Sequence, residues 1–162
     1  MEILWAGWRA GYVRSTDEMN AEGCLFCRLP EGDDAGSLIL ERGPLAYTVL
    51  NRFPYTNGHM MVLPHRGVAR LDELTVDEFD ELWVGVRDGV QAIEDAYAPD
   101  GVNVGLNLGE GSGAGVPNHL HVHVLPRWQG DTNFTVTVAE TKVLPEALDT
   151  SWERVSRSWP QR

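Results

Sequence analysis

The sequence is poor in several features that would mark other classes of protein. It has only two cysteines among 162 residues, too few for the disulfide framework of a small secreted domain. No apolar run approaches the ~18 residues of a membrane-spanning helix, and the N-terminus lacks the basic-then-apolar layout of a signal peptide. We therefore expect a cytoplasmic protein.

Basic residues are also scarce. The chain has 13 Lys and Arg against 24 Asp and Glu, which gives a net charge of −11. This negative charge argues against a nucleic acid or an anionic membrane surface as partner, so we expect neither. If the substrate is anionic, its binding site must be locally positive or rich in hydrogen-bond donors.

The chain shows no internal repeat and no low-complexity tract, and its length fits one domain with a substantial core. We predict a single domain over residues 1–162. It divides into an aromatic N-terminal arm over 1–22, a core over 23–143, and a C-terminal helix and tail over 144–162. Three aromatic side chains in the arm predict that it packs onto another surface, such as a second subunit.

Hydrophobic periodicity predicts an α+β domain in which two helices pack on a sheet. The clearest helix covers residues 75–97, where Thr75 and Glu78 form a capping box. Its apolar stripe, which we expect to face the core, consists of Phe79, Leu82, Trp83, Val86, Val90, Ile93 and Tyr97. A second helix is predicted near 145–158 and a turn-rich loop at 31–36. Strands are predicted near 37–41, 45–51, 58–64, 102–108 and 133–137.

Three of the five histidines lie within five residues, as His119, His121 and His123 with Leu120 and Val122 between them. Strict alternation predicts a half-buried strand that carries all three imidazoles on one face. Because buried imidazoles need hydrogen-bond partners, a functional site explains the row better than a core does. Neighbouring rings could share a metal ion, although the outer pair is about 13 Å apart by this reasoning. Alternatively, the central ring is a nucleophile and the flanking rings donate hydrogen bonds.

A glycine-rich loop, residues 109–117 (GEGSGAGVP), directly precedes the histidine row. Loops of this kind present backbone N–H groups to phosphate oxygens. No Gly-Lys-Ser/Thr follows, so the segment is not a Walker loop. Asn107, at the end of the preceding predicted strand, could donate to the same phosphate. Placed next to three imidazoles, the loop predicts phosphate chemistry.

At this point the sequence resembles a known family, the histidine-triad (HIT) superfamily of nucleotide hydrolases and transferases. The triad itself, residues 119–123 (HLHVH), resembles the family signature, and residues 56–64 (TNGHMMVLP) resemble its second motif. Residues 24–27 (CLFC) are similar to its common N-terminal Cys-x-x-Cys. Residues 5–9 (WAGWR) and 126–134 (PRWQGDTNF) resemble the bacterial branch near diadenosine tetraphosphate phosphorylases and hydrolases.

The resemblance implies a HIT-like fold, an antiparallel five-stranded half-barrel sheet with two main helices, paired into a homodimer. It implies cleavage of dinucleoside polyphosphates, diadenosine tetraphosphate above all, through a covalent nucleotidyl-histidine that water resolves. Phosphorylase relatives carry a serine in the loop where this chain has residues 113–116 (GAGV), which favours hydrolysis over phosphorolysis. Phosphorolysis, nucleoside phosphoramidase activity and a non-catalytic nucleotide- or zinc-binding module remain the alternatives.

The resemblance also implies roles for individual residues. His121 is the nucleophile, His119 and His123 hold phosphate oxygens or orient the central ring, and His59 stands beside the triad. Asn51 occupies the place of a ribose-binding residue that is often Asp in the family. The remaining expected nucleotide contacts are Phe26, Leu29 and Val49 in an apolar base slot, Asn107, Gly113, Ala114 and Gly115 at the phosphates, and His65 and Trp128 at the second nucleotide.

The spacing of Cys24 and Cys27 in a cytosolic chain indicates zinc or redox work rather than a structural disulfide. Zinc-bearing HIT relatives complete the set with the first triad histidine and a histidine three residues after the strand-ending proline. Here that position is Gly67, while His119 is present. The site is therefore lost or rearranged, and a structural zinc on the two cysteines and His119 is possible. The family's chemistry requires no cofactor. The alternative interpretation is that the two cysteines are only small apolar residues on either side of Phe26.

Overall fold

A five-stranded antiparallel sheet forms the centre of the structure, a computed structural model that describes residues 24–112, 114–131 and 145–161. In chain order its strands are β1 (Ile39–Arg42), β2 (Ala46–Leu50), β3 (Met60–Pro64), β4 (Gly101–Leu106) and β5 (Val122–Arg127). Their spatial order is β1-β2-β3-β5-β4. The predicted α+β class and five-stranded antiparallel sheet are confirmed. The predicted arm, Gly113 and the predicted strand at 133–137 lie outside the described residues.

In the part of the chain that the structure describes, four α-helices accompany the sheet: α1 (Leu25–Arg28), α2 (Asp34–Ser37), α3 (Val76–Tyr97) and α4 (Leu148–Arg157). Single 3-10 turns cover Leu29–Glu31, Leu71–Glu73 and Glu110–Ser112. The prediction of a turn-rich loop at 31–36 missed the short helix α2, which forms because the Asp33 side chain caps it by accepting from the Gly36 N–H at 2.8 Å. None of the described helices is both long and apolar enough to cross a membrane.

The long helix α3 begins as the sequence predicts. The Thr75 hydroxyl accepts from the Glu78 N–H, and the Glu78 carboxylate accepts from the Thr75 N–H at 2.8 Å, which completes the capping box. Arg66 donates two hydrogen bonds to the same carboxylate and, together with the cap, lowers the pKa of Glu78 to about 2. The start of α3 is therefore tied to the segment that follows β3.

Helix α3 packs on one face of the sheet through its glycines as well as its apolar stripe. A Cβ on Gly85 would lie 2.9 Å from Val62, and one on Gly89 would lie 2.8 Å from Met60, so the helix backbone approaches the sheet closely. The face of α3 that packs on the sheet is therefore centred on Gly85 and Gly89. The prediction that Phe79 and Trp83 face the core was wrong, because they lie at the border of the contact and are 41% and 38% exposed.

Strand register determines which residues share the opposite face. Val62 pairs with Thr48 and Val122 on the face toward α3, whereas the next residue, Met61, pairs with Val49 and His123. Because side chains alternate along a strand, Val49, Met61 and His123 point away from α3. The candidate site lies on this second face.

The histidine row differs from its predicted form in two ways. Strand β5 begins only at Val122, so His119 and His121 lie in irregular backbone before it. The row is also not half-buried, because all residues from 119 to 124 are at most 8% exposed. The alternating pattern predicts that one face of the row is exposed to solvent. In the structure α3 covers one side of the row, and Phe26 of α1 packs against the other.

Candidate active site

His121 is buried, and its hydrogen bonding leaves one ring nitrogen available for attack. Its Nδ1 lies 2.8 Å from the backbone carbonyl oxygen of His119, and a carbonyl oxygen can only accept. Nδ1 therefore carries the proton, and Nε2 carries the lone pair. Burial lowers the pKa of His121, so the ring is neutral at neutral pH. A neutral imidazole with a free Nε2 is the form that a nucleophilic histidine requires.

His123 is oriented by His59, which lies before β3. The backbone N–H of Tyr55 donates to His59 Nδ1 at 3.1 Å, so this nitrogen is an acceptor and Nε2 of the neutral ring holds the proton. His59 Nε2 then donates to His123 Nδ1 at 2.9 Å, which leaves the proton of His123 on Nε2. Burial, with a smaller effect of His121, lowers the pKa of His123 to about 4. His123 is thus a neutral hydrogen-bond donor.

His119 uses both ring nitrogens away from the other two triad rings. Its Nε2–H donates to the Pro64 carbonyl oxygen at 2.9 Å, and its Nδ1 lies 3.1 Å from Cys24 Sγ and 3.5 Å from Cys27 Sγ. Of the two roles expected for His119, the structure supports orientation of the central ring, through the backbone carbonyl. It does not direct the imidazole toward a phosphate.

An apolar cleft with about 90 Å³ of free volume lies beside His121. Phe26, Leu29 and Val49, the three predicted base-slot residues, all line it. The Phe26 ring meets the ring of His121 edge-on at a centroid distance of 5.3 Å, which places the cleft next to this imidazole. The sequence interpretation missed eight further lining residues, namely Leu25, Ser37, Leu38, Leu50, Arg52, Phe53, Met61 and Val116.

Asn51 lines the same cleft and is buried. Its Oδ1 accepts from the Phe53 N–H at 2.9 Å, and its Nδ2 lies 3.3 Å from His59 Nδ1. Because a carbonyl oxygen has two lone pairs, Oδ1 keeps one acceptor position for a sugar hydroxyl. The amide therefore connects the cleft to the His59–His123 pair.

The glycine-rich loop leads into the cleft through Val116. Asn107 directly follows Leu106, whose register partner is Val122, so Asn107 lies at the level of His121. Ala114 and Gly115 are half-buried and lead into Val116, which lines the cleft. Gly113 lies outside the described residues.

Within the described residues, the two expected contacts of a second nucleotide have other partners. The His65 ring stacks on Tyr47 and donates to the Gly43 carbonyl oxygen at 2.9 Å, so it is engaged with the β1–β2 hairpin. Trp128 lies beyond the far end of β5, seven residues or roughly 23 Å along the strand from His121. There it meets Tyr97 edge-on.

The two cysteines are joined in a disulfide, whereas the sequence favours a zinc or redox role over a structural bond. Their Cα atoms lie 5.3 Å apart in the single turn of α1, which is within the usual range for a disulfide. Both sulfurs and His119 Nδ1 lie within 4.8 Å of one another. After reduction, these atoms fit three of the four ligands that zinc prefers.

The fourth position of that set is Gly67. A Cβ on Gly67 would lie 3.2 Å from Cys27 Sγ, 3.7 Å from His119 Nδ1 and 3.8 Å from Cys24 Sγ. The residue that faces the three donors therefore has no side chain to offer. The described residues thus form a cluster of three potential zinc ligands, and the fourth position of the family's set offers none.

The comparisons with known proteins agree with this geometry. A sequence profile of the HIT domain matches residues 34–130. The chain belongs to the HIT domain family. Across 168 aligned residues, which cover 100% of this chain and 86% of the relative, it is 36% identical to the AP-4-A phosphorylase of Mycobacterium tuberculosis. The resemblance noted in the sequence is thereby confirmed.

Two further relatives of this HIT protein bear on its chemistry and its fold. It is 38% identical over 96 residues to the asymmetrical bis(5'-nucleosyl)-tetraphosphatase of Schizosaccharomyces pombe. This alignment covers 59% of this chain and 52% of that protein. The crystal structure of a zinc-bound histidine triad family protein from Mycobacterium smegmatis superimposes with a TM-score of 0.68. That match covers 85% of this chain and 94% of the other at 20% identity, and it shows the shared fold.

Proposed function

We propose that this HIT protein is an enzyme that cleaves dinucleoside polyphosphates, with diadenosine tetraphosphate as the preferred candidate, through a nucleotidyl-His121 intermediate. The observation that carries the proposal is the hydrogen bond from His121 Nδ1 to the His119 carbonyl oxygen. It leaves the lone pair on Nε2, beside an apolar cleft suited to a nucleobase. The names of the two enzymes that it resembles support the substrate class.

The reaction has two displacements. His121 Nε2 attacks the α-phosphorus, so an N–P bond forms and the bond to the leaving polyphosphate oxygen breaks. Water then attacks the same phosphorus, the N–P bond breaks, and the water proton leaves with solvent. Diadenosine tetraphosphate and water thus yield AMP and ATP. Two steps with a covalent intermediate replace one difficult displacement.

Neutral donors stabilise the phosphate in this scheme. His123 offers Nε2–H because its Nδ1 accepts from His59. Backbone N–H groups of the loop around Gly115 and the amide of Asn107 add further donors at the level of His121. Such donors suit an anionic substrate in a chain with a net charge of −11, because they add no charge that burial would penalise.

Phosphorolysis is the second candidate. The full-length similarity to a protein named AP-4-A phosphorylase favours it. In that case inorganic phosphate replaces water in the second step, and the products are ADP and ATP. The loop departure at residues 113–116 points to hydrolysis instead, and Gly113 lies outside the described residues.

Product analysis with diadenosine tetraphosphate, with and without inorganic phosphate, separates the candidates. AMP and ATP in both conditions support hydrolysis, and ADP and ATP that require phosphate support phosphorolysis. His121→Asn is the matched variant, because the side chain keeps a hydrogen-bonding amide but lacks Nε2. We expect kcat to fall by several orders of magnitude while nucleotide affinity persists. Unchanged turnover would refute the nucleophile, and cleavage of phosphoramidate substrates alone would indicate a phosphoramidase.

We also propose that two copies pair through β4. The strand order places β4 at an edge of the sheet, and four of its six residues are exposed, including Val104 at 42%. An exposed apolar edge strand is a natural surface for pairing with a second copy. Val104→Lys should shift the mass measured by light scattering from dimer to monomer. A wild-type monomer would contradict the proposal. Residence in the cytoplasm is a separate expectation that comes from the sequence alone.

A structural zinc is a further proposal that depends on reduction of the disulfide. The reduced thiolates of Cys24 and Cys27 and His119 Nδ1 would hold the ion, because His119 keeps its proton on Nε2 and aims Nδ1 at the sulfurs. The ion would add local stability to α1. No step of the proposed reaction passes through it.

A further inference from the structure

Tyr55 covers the His59–His123 pair from the solvent side. Its ring centroid lies 4.6 Å from that of His59 and 6.0 Å from that of His123, with the planes tilted by 35° and 33°. The phenol is 36% exposed, whereas His59 and His123 are 0% and 8% exposed. One partly exposed aromatic side chain in the β2–β3 loop therefore lies against two buried imidazoles.

The backbone of the same residue sets the proton positions of the pair. The Tyr55 N–H donates to His59 Nδ1, and the His59 Nε2–H donates to His123 Nδ1. Ring and backbone of Tyr55 thus act on one chain of hydrogen bonds that ends at His123 Nε2. If the ring were removed, water could reach both imidazoles and compete for these bonds.

The groups that face His123 make solvent exclusion the main control on its charge. Among the described residues, the titratable groups in contact with it are His121 from the segment before β5, His59 from the segment before β3, and Tyr55 from the β2–β3 loop. Its register partner on β4 is Gly105, which has no side chain. Burial is the larger cause of the lowered pKa of His123, and His121 is the smaller one. A change in water access should therefore change its protonation.

We propose that Tyr55 is a positioning residue whose ring closes the His59–His123 pair against water, so that His123 presents a neutral Nε2–H donor to the phosphate. The catalytic part rests on the proposed function. The effect on the imidazoles does not, because it can be measured in the absence of substrate. The hydroxyl has no part in this role, which distinguishes the ring from the phenol.

The experiment compares Tyr55→Ala with Tyr55→Phe by NMR titration of the imidazole nitrogens, which are assignable because the chain has five histidines. In Tyr55→Ala we expect the pKa of His123 to rise from about 4 toward 6.5, by at least about one unit. Tyr55→Phe should titrate like the wild type. Phe53→Ala is the matched control, because Phe53 is an exposed aromatic in the same loop that lines the cleft instead.

Kinetics provide the second measurement. If the pKa of His123 reaches about 6, only about a quarter of the rings are neutral at pH 5.5, so kcat relative to pH 8 should fall about fourfold in Tyr55→Ala. KM should change little, and Tyr55→Phe should restore the wild-type profile. Phe53→Ala should raise KM without a shift of the profile. A wild type inactive on dinucleotides would refute the proposed function and leave the NMR test standing.

Two results would overturn the assignment. The first is an unchanged titration of His123 in Tyr55→Ala. The second is a raised KM for diadenosine tetraphosphate but not for adenosine 5'-tetraphosphate, which lacks the second base. That pattern without a pH shift would show that Tyr55 stacks on the leaving nucleoside.

Discussion

The low pKa of His123 makes the stability of this protein sensitive to mild acid. In the unfolded chain the ring titrates near its ordinary value of 6.5, but in the fold its pKa is about 4. Between these values the unfolded state binds a proton that the folded state excludes. The free energy of unfolding is therefore unaffected by this ring above pH 6.5, and it decreases as the pH falls from 6.5 toward 4.

The magnitude follows from the two pKa values. The full difference of about 2.5 units corresponds to about 3 kcal/mol, because one unit is worth 1.36 kcal/mol. Between pH 7.5 and pH 5.0, linkage gives a loss of about 2 kcal/mol from this one ring. His123 is only 8% exposed, so solvent screening does not reduce this figure much.

Urea unfolding followed by tryptophan fluorescence measures this loss, with equal protein concentrations at pH 7.5 and pH 5.0. The comparison variant is His123→Asn, which keeps an acceptor for the His59 Nε2–H but does not titrate. Both proteins share all other titratable groups, so the contributions of these groups cancel when the two are compared. Between pH 7.5 and pH 5.0, the free energy of unfolding of the variant should therefore fall by about 2 kcal/mol less than that of the wild type. Equal pH dependence in both proteins would refute the reasoning that a buried neutral His123 causes the acid sensitivity.

Three further predictions concern the glycines and the cleft. Under reducing conditions, metal analysis should show that Gly67→His binds zinc more tightly than the wild type. Adding Cys24→Ser to either protein should abolish zinc binding. Zinc that is still bound after the Cys24→Ser change would exclude this cluster as the site. Gly58→Ala should lower the free energy of unfolding by at least about 1–3 kcal/mol, because φ is +74° there and a Cβ would lie 2.7 Å from the Tyr97 ring. An unchanged urea midpoint would contradict this. Phe26→Ala should raise KM about fivefold or more with a smaller change in kcat, and an unaltered KM would remove Phe26 from base binding.

Elements that depend on local signals could be predicted from the sequence. The capping box at Thr75 and Glu78 is contained in four residues, and the helix that it starts ends at Tyr97 as predicted. Strands β1 to β3 lie within the predicted segments to one or two residues, because turn residues separate them. The short helix α2 was missed because its cap depends on a single aspartate in a segment of turn-forming residues.

The apolar cleft could be predicted only in part, since apolar residues in strands look the same whether they fill a core or line a cleft. Met61 belongs to a run of five buried residues in β3, and only its pairing with Val49 and His123 places it on the site face. Val116 belongs to the glycine-rich loop, whose path no periodicity specifies. The family resemblance identified Phe26, Leu29 and Val49, which spacing alone could not.

The division of labour within the triad was beyond sequence reasoning for a different reason. Three identical side chains at equal spacing differ here in their hydrogen-bond partners, and the central one also differs in tautomer, because Nδ1 carries the proton in His121 and Nε2 carries it in the other two. That choice is made by the Pro64 carbonyl for His119, by the His119 carbonyl for His121, and by His59 for His123. Two of these partners are 55 and 64 residues away along the chain. Because tautomers depend on such contacts, the sequence pattern predicts that a site exists, and the fold determines the tautomer and the partner of each ring.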